Sequence, residues 1–263
     1  IPVFSLRSKQ SFGCHDFGDL KKMIDWAVLT GQKVVQILPI NDTTITHTWT
    51  DSYPYNSISI YAFHPMYIDL NQLEALEDAG QRESFEQQRL KLNALPQVDY
   101  EAVNLYKLKY LHLLFQQMGE TLLESTGFRQ FFKENKHWLV PYSVFCYLRD
   151  KYGTPVFRNW PEHQVYHEEV ISRMAEEDTA CRPIARFNYF LQYVLHIQLR
   201  AASEYARSKG VLLKGDIPIG ISPNSVEAWT EPHYFNLNGQ AGAPPDPFSE
   251  TGQNWGFPTY NWD

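Results

Sequence analysis

The side chains in this sequence that could perform or support chemistry begin with one aspartate. Asp216 follows the apolar run "VLLKG" of residues 211–215. If that run is a parallel strand, Asp216 lies at the carboxyl end of the strand, where α/β folds collect their ligand-binding groups. An aspartate that caps the next turn is the alternative interpretation, and a single carboxylate does not make a mechanism.

A pair of tyrosines forms the second candidate site, in the stretch "DSYPYNS" of residues 51–57. Tyr53 and Tyr55 flank Pro54 and follow a predicted second strand. Their flat, amphipathic rings are suited to packing against a sugar while the hydroxyls form hydrogen bonds. The alternative is that they cover apolar surface. In a parallel sheet they would lie on the same face as Asp216.

The last 25 residues, 239–263, form a third candidate and are called the closing loop below. They contain four glycines, four prolines and five aromatic residues without helical or strand periodicity. Long structureless segments are uncommon in compact domains, and the ordered ones are usually lids or binding loops. This composition is too aromatic for an inert linker.

Several other kinds of chemistry lack their signals. The sequence contains no HExxH, GxSxG, P-loop or GxGxxG motif, so we expect neither a metal site nor a cofactor, although three histidines are candidate ligands or proton carriers (His15, His47, His64). The three cysteines are scattered, which favours free thiols in the cytoplasm (Cys14, Cys146, Cys181). The net charge of −7, with no basic cluster, argues against nucleic acid or an anionic membrane as a partner.

The elements that must position these groups follow a strand–helix–strand pattern. We predict a strand at residues 2–6, a helix from Asp19 ended by Gly31, and a strand at 33–40 that is covered on both faces. The helix is indicated by apolar residues at helical spacing (Leu20, Met23, Ile24, Ala27, Val28).

A long helical region follows. Apolar spacing predicts helices around residues 105–118, 142–152 and 187–206, the second ended by Gly153 and the third by Gly210, before a strand at 211–221. The pattern predicts three parallel strands in an α/β fold, either part of a (β/α)8 barrel or a doubly wound sheet.

Four stretches occur in an order that resembles one family. They are "GCHDFGDL" (13–20), "KVVQILPINDTTITHTWTDSYPYNSISIYAFHPMYIDL" (33–70), "GVLLKGDIPIGISPNSVEAW" (210–229) and "GAPPDPFSETGQNWGFPTYNWD" (242–263). Together they are similar to the 4-α-glucanotransferases (amylomaltases, disproportionating enzymes) of glycoside hydrolase family 77, and the last stretch is the most specific.

The resemblance implies the first part, strands 1 to 3, of a (β/α)8 TIM-type barrel with a large helical insertion. We predict barrel strands 1 and 2 with the substrate loop in residues 1–70. An inserted, mainly helical subdomain follows in 71–185, and a barrel helix, strand 3 and the lid in 186–263.

The resemblance also implies an activity: transfer of α-1,4-glucan segments between maltodextrins, or from glycogen or starch, by a retaining double displacement. The family's nucleophilic Asp and acid/base Glu belong to segments that would follow residue 263. We therefore expect this piece to lack catalytic residues although its parent is an enzyme.

By its match to the family motifs, Asp216 is expected to hydrogen-bond a sugar near the cleavage point, with Tyr55 beside it. The closing loop contributes the remaining substrate-binding residues implied by the resemblance: Asp246, Phe248, Gln253 and Trp255. A lid of this kind would shield the intermediate from water.

The sequence departs from the family pattern at Tyr53, Asn56, Pro247 and residues 220–224. These departures are more similar to the larger disproportionating enzymes, in which starch-binding domains precede the barrel. Two alternative functions stay open: an α-amylase-like hydrolase, against which the lid motif argues, and a non-catalytic α-glucan-binding protein. We expect the open strand edges of such a half-barrel to favour self-association.

Overall fold

A computed structural model describes residues 1–263, the whole of the printed chain. The first half contains α1 (Phe17–Leu29), β1 (Val34–Gln36), α2 (Ala79–Asn93), α3 (Tyr100–Leu114), α4 (Glu120–Leu123) and α5 (Thr126–Tyr152). The second half contains α6 (Glu168–Glu177), α7 (Cys181–Ser208), β2 (Leu212–Lys214), α8 (Val226–Thr230), β3 (Phe235–Asn236), β4 (Gly242–Ala243), β5 (Gln253–Asn254) and β6 (Thr259–Tyr260). The chain is therefore an α/β protein dominated by helices.

The central pair of strands is parallel, as predicted. In β1 and β2, Val34 lies opposite Leu212 and Gln36 opposite Lys214. Helix α7 packs against both α1 and β2, so the two strands form one layer and the helices α1 and α7 form a second layer against it. The expectation that the sheet is covered on both faces is wrong, since Val34 is 50% and Leu212 64% exposed.

The predicted strand at residues 2–6 is also wrong. Val3–Ser5 is a 3₁₀ turn in which Ser5 donates to the Pro2 carbonyl. Pro2 has no N–H to give to a ladder, which disfavours a strand at its position. Only Ile1 pairs with the chain beside β1, where Leu38 N donates to its carbonyl at 2.9 Å. The sheet thus has two strands rather than three.

Helix α1 begins two residues before the predicted start because Asp16 caps it. The Asp16 carboxylate accepts from the N–H groups of Gly18 and Asp19, which the first turn would otherwise leave unpaired. Leu20 and Ile24 are fully buried on the predicted face. The helix ends as predicted before Gly31, which has a left-handed φ of 74°.

Helix α3 is confirmed, and Leu111 of its predicted apolar residues is fully buried, but the buried face also includes positions outside that spacing. Leu105 is 65% exposed, whereas Val103 and Lys107 are buried. The Lys107 ammonium donates to the Met66 carbonyl at 2.6 Å, so a charged residue occupies a core position. Apolar spacing alone could not identify that face, because its polar member is satisfied by a partner far away in the sequence.

Helix α5 is longer than the predicted segment 142–152 and contains Pro141 in its interior. A proline normally marks a helix boundary, and the predicted segment begins directly after it. The end of the helix at Gly153 is confirmed, with φ at 68°. Helices α5 and α7 pack against each other along much of their length.

The buried apolar side chains form one cluster of 52 residues that extends from α1 through the helical region to α8. Trp160, Trp229 and Phe145 pack together within it, with ring centroids 5.3–5.8 Å apart. The division of the chain at residues 70 and 185 stays a prediction. None of the helices is long and apolar enough to cross a membrane.

Candidate functional site

A cleft of about 790 Å³ lies where the chain leaves β2. Three segments form its walls: residues 45–60, which carry Tyr53 and Tyr55 and are called the tyrosine loop below, the segment between β2 and α8, and the closing loop. The lining side chains are mostly aromatic, apolar or amide: Ile45, Tyr53, Tyr55, Asn56, Ile219, Ser222, Pro223, Asn224, Asn254, Trp255, Gly256 and Phe257. Such a surface suits an uncharged ligand with both apolar faces and hydroxyl groups.

The tyrosine loop and the end of β2 meet in one hydrogen bond. The Tyr55 hydroxyl donates to Asp216 Oδ2 at 3.0 Å, across 161 residues of sequence. This hydrogen bond to the carboxylate is the main reason that the pKa of Tyr55 is raised above its usual value. Asp216 also accepts from the N–H of Ile217, the adjacent residue, at 3.1 Å. Residue 218 is a proline without an N–H, and residues 215–218 form no turn, so the turn-capping interpretation of Asp216 is not supported.

Glu227, in α8, holds the tyrosine loop against the segment after β2. Its Oε1 accepts from Ser59 Oγ at 2.8 Å and from Ile60 N at 3.2 Å, while Oε2 is buried without a partner. Val226 N donates to the Ile58 carbonyl at 2.8 Å beside this contact. These bonds fix the separation between two walls of the cleft.

The ionisation of Glu227 should make stability depend on pH. Burial raises its pKa from an ordinary value of 4.5 to about 7. Between these values the folded state binds more protons than the unfolded state, so stability falls as pH rises. Glu227→Gln keeps an acceptor but no charge. We expect it to stabilise the chain by about 1–3 kcal/mol at about pH 8 and to be nearly neutral at about pH 5.

Urea unfolding of wild-type and variant at both pH values measures this difference. Asp16 also has a raised pKa, of about 7, but it is present in both proteins and cancels in the comparison. An equal effect of Glu227→Gln at both pH values would show that Glu227 does not titrate in this range.

The closing loop is ordered by short strand pairs rather than by a core. Phe235 and Tyr260 pair between β3 and β6, and Gly242 and Asn254 pair between β4 and β5. The loop is joined to the segment after β2 where the Tyr260 hydroxyl donates to the Ile219 carbonyl at 3.0 Å. This hydrogen bond connects two walls of the cleft, the closing loop and the segment between β2 and α8.

The predicted residues of the closing loop have different positions. Trp255 lines the cleft, and its indole N–H donates to Gln253 Oε1 at 3.0 Å. Phe248 is 96% exposed at the loop tip. Asp246 accepts from the N–H groups of Phe248 and Ser249, both at 2.8 Å, so its observed contacts stabilise a turn. Tyr55 and Trp255 therefore line the cleft, and Asp216 adjoins it through its hydrogen bond to Tyr55. The other three predicted residues are not part of the lining: Asp246, Phe248 and Gln253.

Several cleft residues are not apparent from the sequence. Asn224 and Ser222 follow β2, and Phe257 and Asn254 belong to the closing loop. Phe257 lies inside the motif "GQNWGFP", which is the signal that could have found it. The amides carry no signal by themselves, because asparagine is common in any loop.

The three candidate histidines do not belong to the cleft. Burial lowers the pKa of His15 to about 4. His64 is buried and bonded to the Tyr100 hydroxyl at 2.7 Å, and His47 pairs with Asp150 at 3.0 Å. No group of three or more His, Cys, Asp or Glu side chains is arranged to hold a metal ion. His64 and His47 therefore bond to protein side chains outside the cleft.

Known proteins are similar to this chain in both sequence and fold. The family model described as 4-alpha-glucanotransferase, of glycoside hydrolase family 77, matches residues 1–263. The chain is 42% identical to 4-alpha-glucanotransferase DPE2 of Oryza sativa subsp. japonica, over 100% of this chain and 28% of that protein. It is 34% identical to the 4-alpha-glucanotransferase of Chlamydia muridarum, over 99% of this chain and 48% of that protein.

Among solved structures, an amylomaltase from Streptococcus agalactiae in complex with acarbose superposes with a TM-score of 0.82 at 26% identity. The match covers 100% of this chain and 52% of that one. The chain therefore spans about half, or less, of the length of these relatives. The resemblance predicted from the motifs is confirmed: this chain belongs to the 4-α-glucanotransferases of glycoside hydrolase family 77.

Proposed function

We propose that this chain supplies one side of the α-glucan cleft of a 4-α-glucanotransferase, and that the whole protein transfers α-1,4-glucan segments from a maltodextrin, glycogen or starch donor to a sugar acceptor. The observation that carries the proposal is that Tyr55 and Trp255 line one cleft, with Asp216 bonded to the Tyr55 hydroxyl beside it. A solved relative with acarbose bound, an oligosaccharide analogue, supports this class of ligand.

In this proposal the glucan chain packs against aromatic rings and bonds to a carboxylate. Tyr53 and Tyr55, with ring centroids 5.6 Å apart, form one apolar surface and Trp255 another. Asp216 accepts a hydrogen bond from a sugar hydroxyl with the lone pairs that Tyr55 and Ile217 leave free. Charged acceptors of this kind form the stronger hydrogen bonds.

The double displacement itself requires two carboxyl groups about 5–5.5 Å apart. Among residues 1–263, no carboxylate lines the cleft, and Asp216 adjoins it without a second one. We infer that the nucleophile and the acid/base belong to other parts of the whole protein. The chain by itself then binds glucan without cleaving it, and the parent is the transferase.

The exposed face of the β1–β2 sheet supports the proposed barrel. Val34 in β1 and Leu212 in β2 are at least half exposed, and so is Ile217 in the segment after β2. In a (β/α)8 barrel this surface would contact further strands, and in the isolated chain it should promote self-association.

The proposal also includes the location and the domain organisation of the whole protein. The three cysteines are free and buried, which agrees with a cytoplasmic location. We also propose that starch-binding domains precede this segment in the whole protein.

Binding of acarbose by the 263-residue chain tests this function. We expect binding in the range of about 10 μM to 1 mM, followed by tryptophan fluorescence and calorimetry. Trp255→Ala should weaken binding by about 10-fold through the lost ring contact. Trp26→Ala, on an exposed helix face away from the cleft, is the control. Equal loss in both variants, or no binding by wild type, would contradict the proposal.

A further inference from the structure

A buried glycine of the cleft wall lies directly beneath an aromatic ring of the closing loop. A Cβ atom built on Gly220 would lie 2.8 Å from Phe257 Cβ, 2.9 Å from its Cγ and 3.1 Å from its Cδ2. Carbon atoms prefer separations of about 3.5–4.0 Å, so no larger residue fits without moving the ring. The backbone of Gly220 lies outside the left-handed region. Space, rather than conformational freedom, therefore requires glycine here.

The backbone on both sides of this contact is anchored. The Phe257 carbonyl accepts from Ala241 N at 2.7 Å, and the Tyr260 hydroxyl bonds to the Ile219 carbonyl at 3.0 Å. These two bonds hold the backbone on either side of the contact in place, so a side chain at position 220 would displace the Phe257 ring rather than the backbone.

Phe257 is partly exposed and lines the cleft together with Trp255 and Ile219. Its exposed part therefore faces the same space as the proposed ligand. A rigid aromatic ring held by close packing is a favourable contact for a sugar face, because little side-chain entropy is lost on binding.

We propose that Gly220 and Phe257 form a matched pair that sets the width of the glucan cleft. Gly220 is a positioning residue, because the absence of a side chain leaves space for the Phe257 ring, and Phe257 contacts the sugar beside Trp255. This inference rests on the proposed glucan-binding function and adds to it a specificity-determining contact. A side chain at position 220 would push Phe257 toward the cleft and narrow it.

A double-mutant cycle in the whole protein to which this chain belongs, with acarbose affinity measured by calorimetry, tests the pair. Gly220→Ala should weaken binding by about 10-fold, and Phe257→Gly by a similar factor. In the Phe257→Gly background the Gly220→Ala change should alter affinity by less than about 2-fold, because the atoms it displaces are gone. Full additivity of the two losses would overturn the positioning role.

Two further variants separate binding from folding. Gly215→Ala is the matched control, since a Cβ at Gly215 meets nothing within 4 Å, and we expect unchanged affinity. Phe257→Leu keeps the branch at Cγ and should fold with the wild-type melting temperature while binding about 3–10-fold more weakly. Wild-type affinity in Phe257→Leu would overturn this inference alone. No binding by the wild-type protein would overturn the proposed function and the inference together.

Discussion

Replacing Asp51 by alanine is expected to lower the free energy of unfolding by about 2–4 kcal/mol, a large effect for one side chain. The Asp51 carboxylate is 4% exposed and accepts from three consecutive backbone N–H groups. These belong to Ile45 at 3.0 Å, Thr46 at 2.9 Å and His47 at 2.8 Å. His47 has a left-handed φ of 60°, so the turn depends on this carboxylate.

Urea unfolding followed by circular dichroism measures the change. Asp246→Ala is the matched control, because Asp246 also accepts from two backbone N–H groups, but in an exposed turn where water replaces it. We expect less than about 1 kcal/mol there. If the two variants lose similar stability, burial is not the reason that Asp51 matters. Ile45 lines the cleft, so Asp51→Ala should also weaken glucan binding.

Replacing Asp216 by alanine is expected to reduce acarbose affinity about 10- to 100-fold. A hydrogen bond to a charged group contributes about 1.5–3 kcal/mol, and each 1.4 kcal/mol corresponds to a factor of about 10. The variant removes both the proposed sugar contact and the acceptor of the Tyr55 hydroxyl. Tyr55→Phe removes only the hydroxyl and should lose about 3- to 10-fold. Calorimetric titration of the folded chain measures both effects.

The chain contains a matched control for this pair. Tyr205 also donates its hydroxyl to an aspartate, Asp25, but on the surface between α7 and α1. Tyr205→Phe should leave acarbose affinity unchanged. If Tyr205→Phe weakened binding as much as Tyr55→Phe, the loss would reflect general destabilisation rather than the site. Wild-type affinity in Asp216→Ala would contradict the proposed contact between Asp216 and the sugar.

Local patterns in the sequence predict the regular elements well where packing follows periodicity. Helix α1 has its apolar residues on one face and a glycine at its end, and both features appear as predicted. The parallel pairing of β1 and β2 follows from the helices between them, because parallel strands require a crossover. The motifs of the closing loop identify the family through residue identity and spacing alone.

The failures share a physical cause: a distant partner overrides a local preference. Lys107 is buried in α3 because the Met66 carbonyl accepts its hydrogen bond, and no helical pattern predicts that bond. Pro141 continues α5, although proline usually ends a helix, and the helix is held by packing against α7. The exposed face of β1 and β2 differs from the predicted buried one because coverage depends on elements that pack there, not on the strands themselves.

The sequence by itself determined the family, the parallel αβ framework, two residues that line the cleft, Tyr55 and Trp255, and the adjoining Asp216. These follow from residue identity and order, which motifs and periodicity preserve. The tertiary structure decided which groups are in contact. These are the hydrogen bond of Glu227 with Ser59, the hydrogen bonds of Asp51 to the backbone N–H groups of residues 45–47, and the packing of Phe257 against Gly220. The first and last of these contacts join residues that are far apart in the chain. Such contacts depend on how distant segments pack, and no pattern of neighbouring residues in the sequence predicts them.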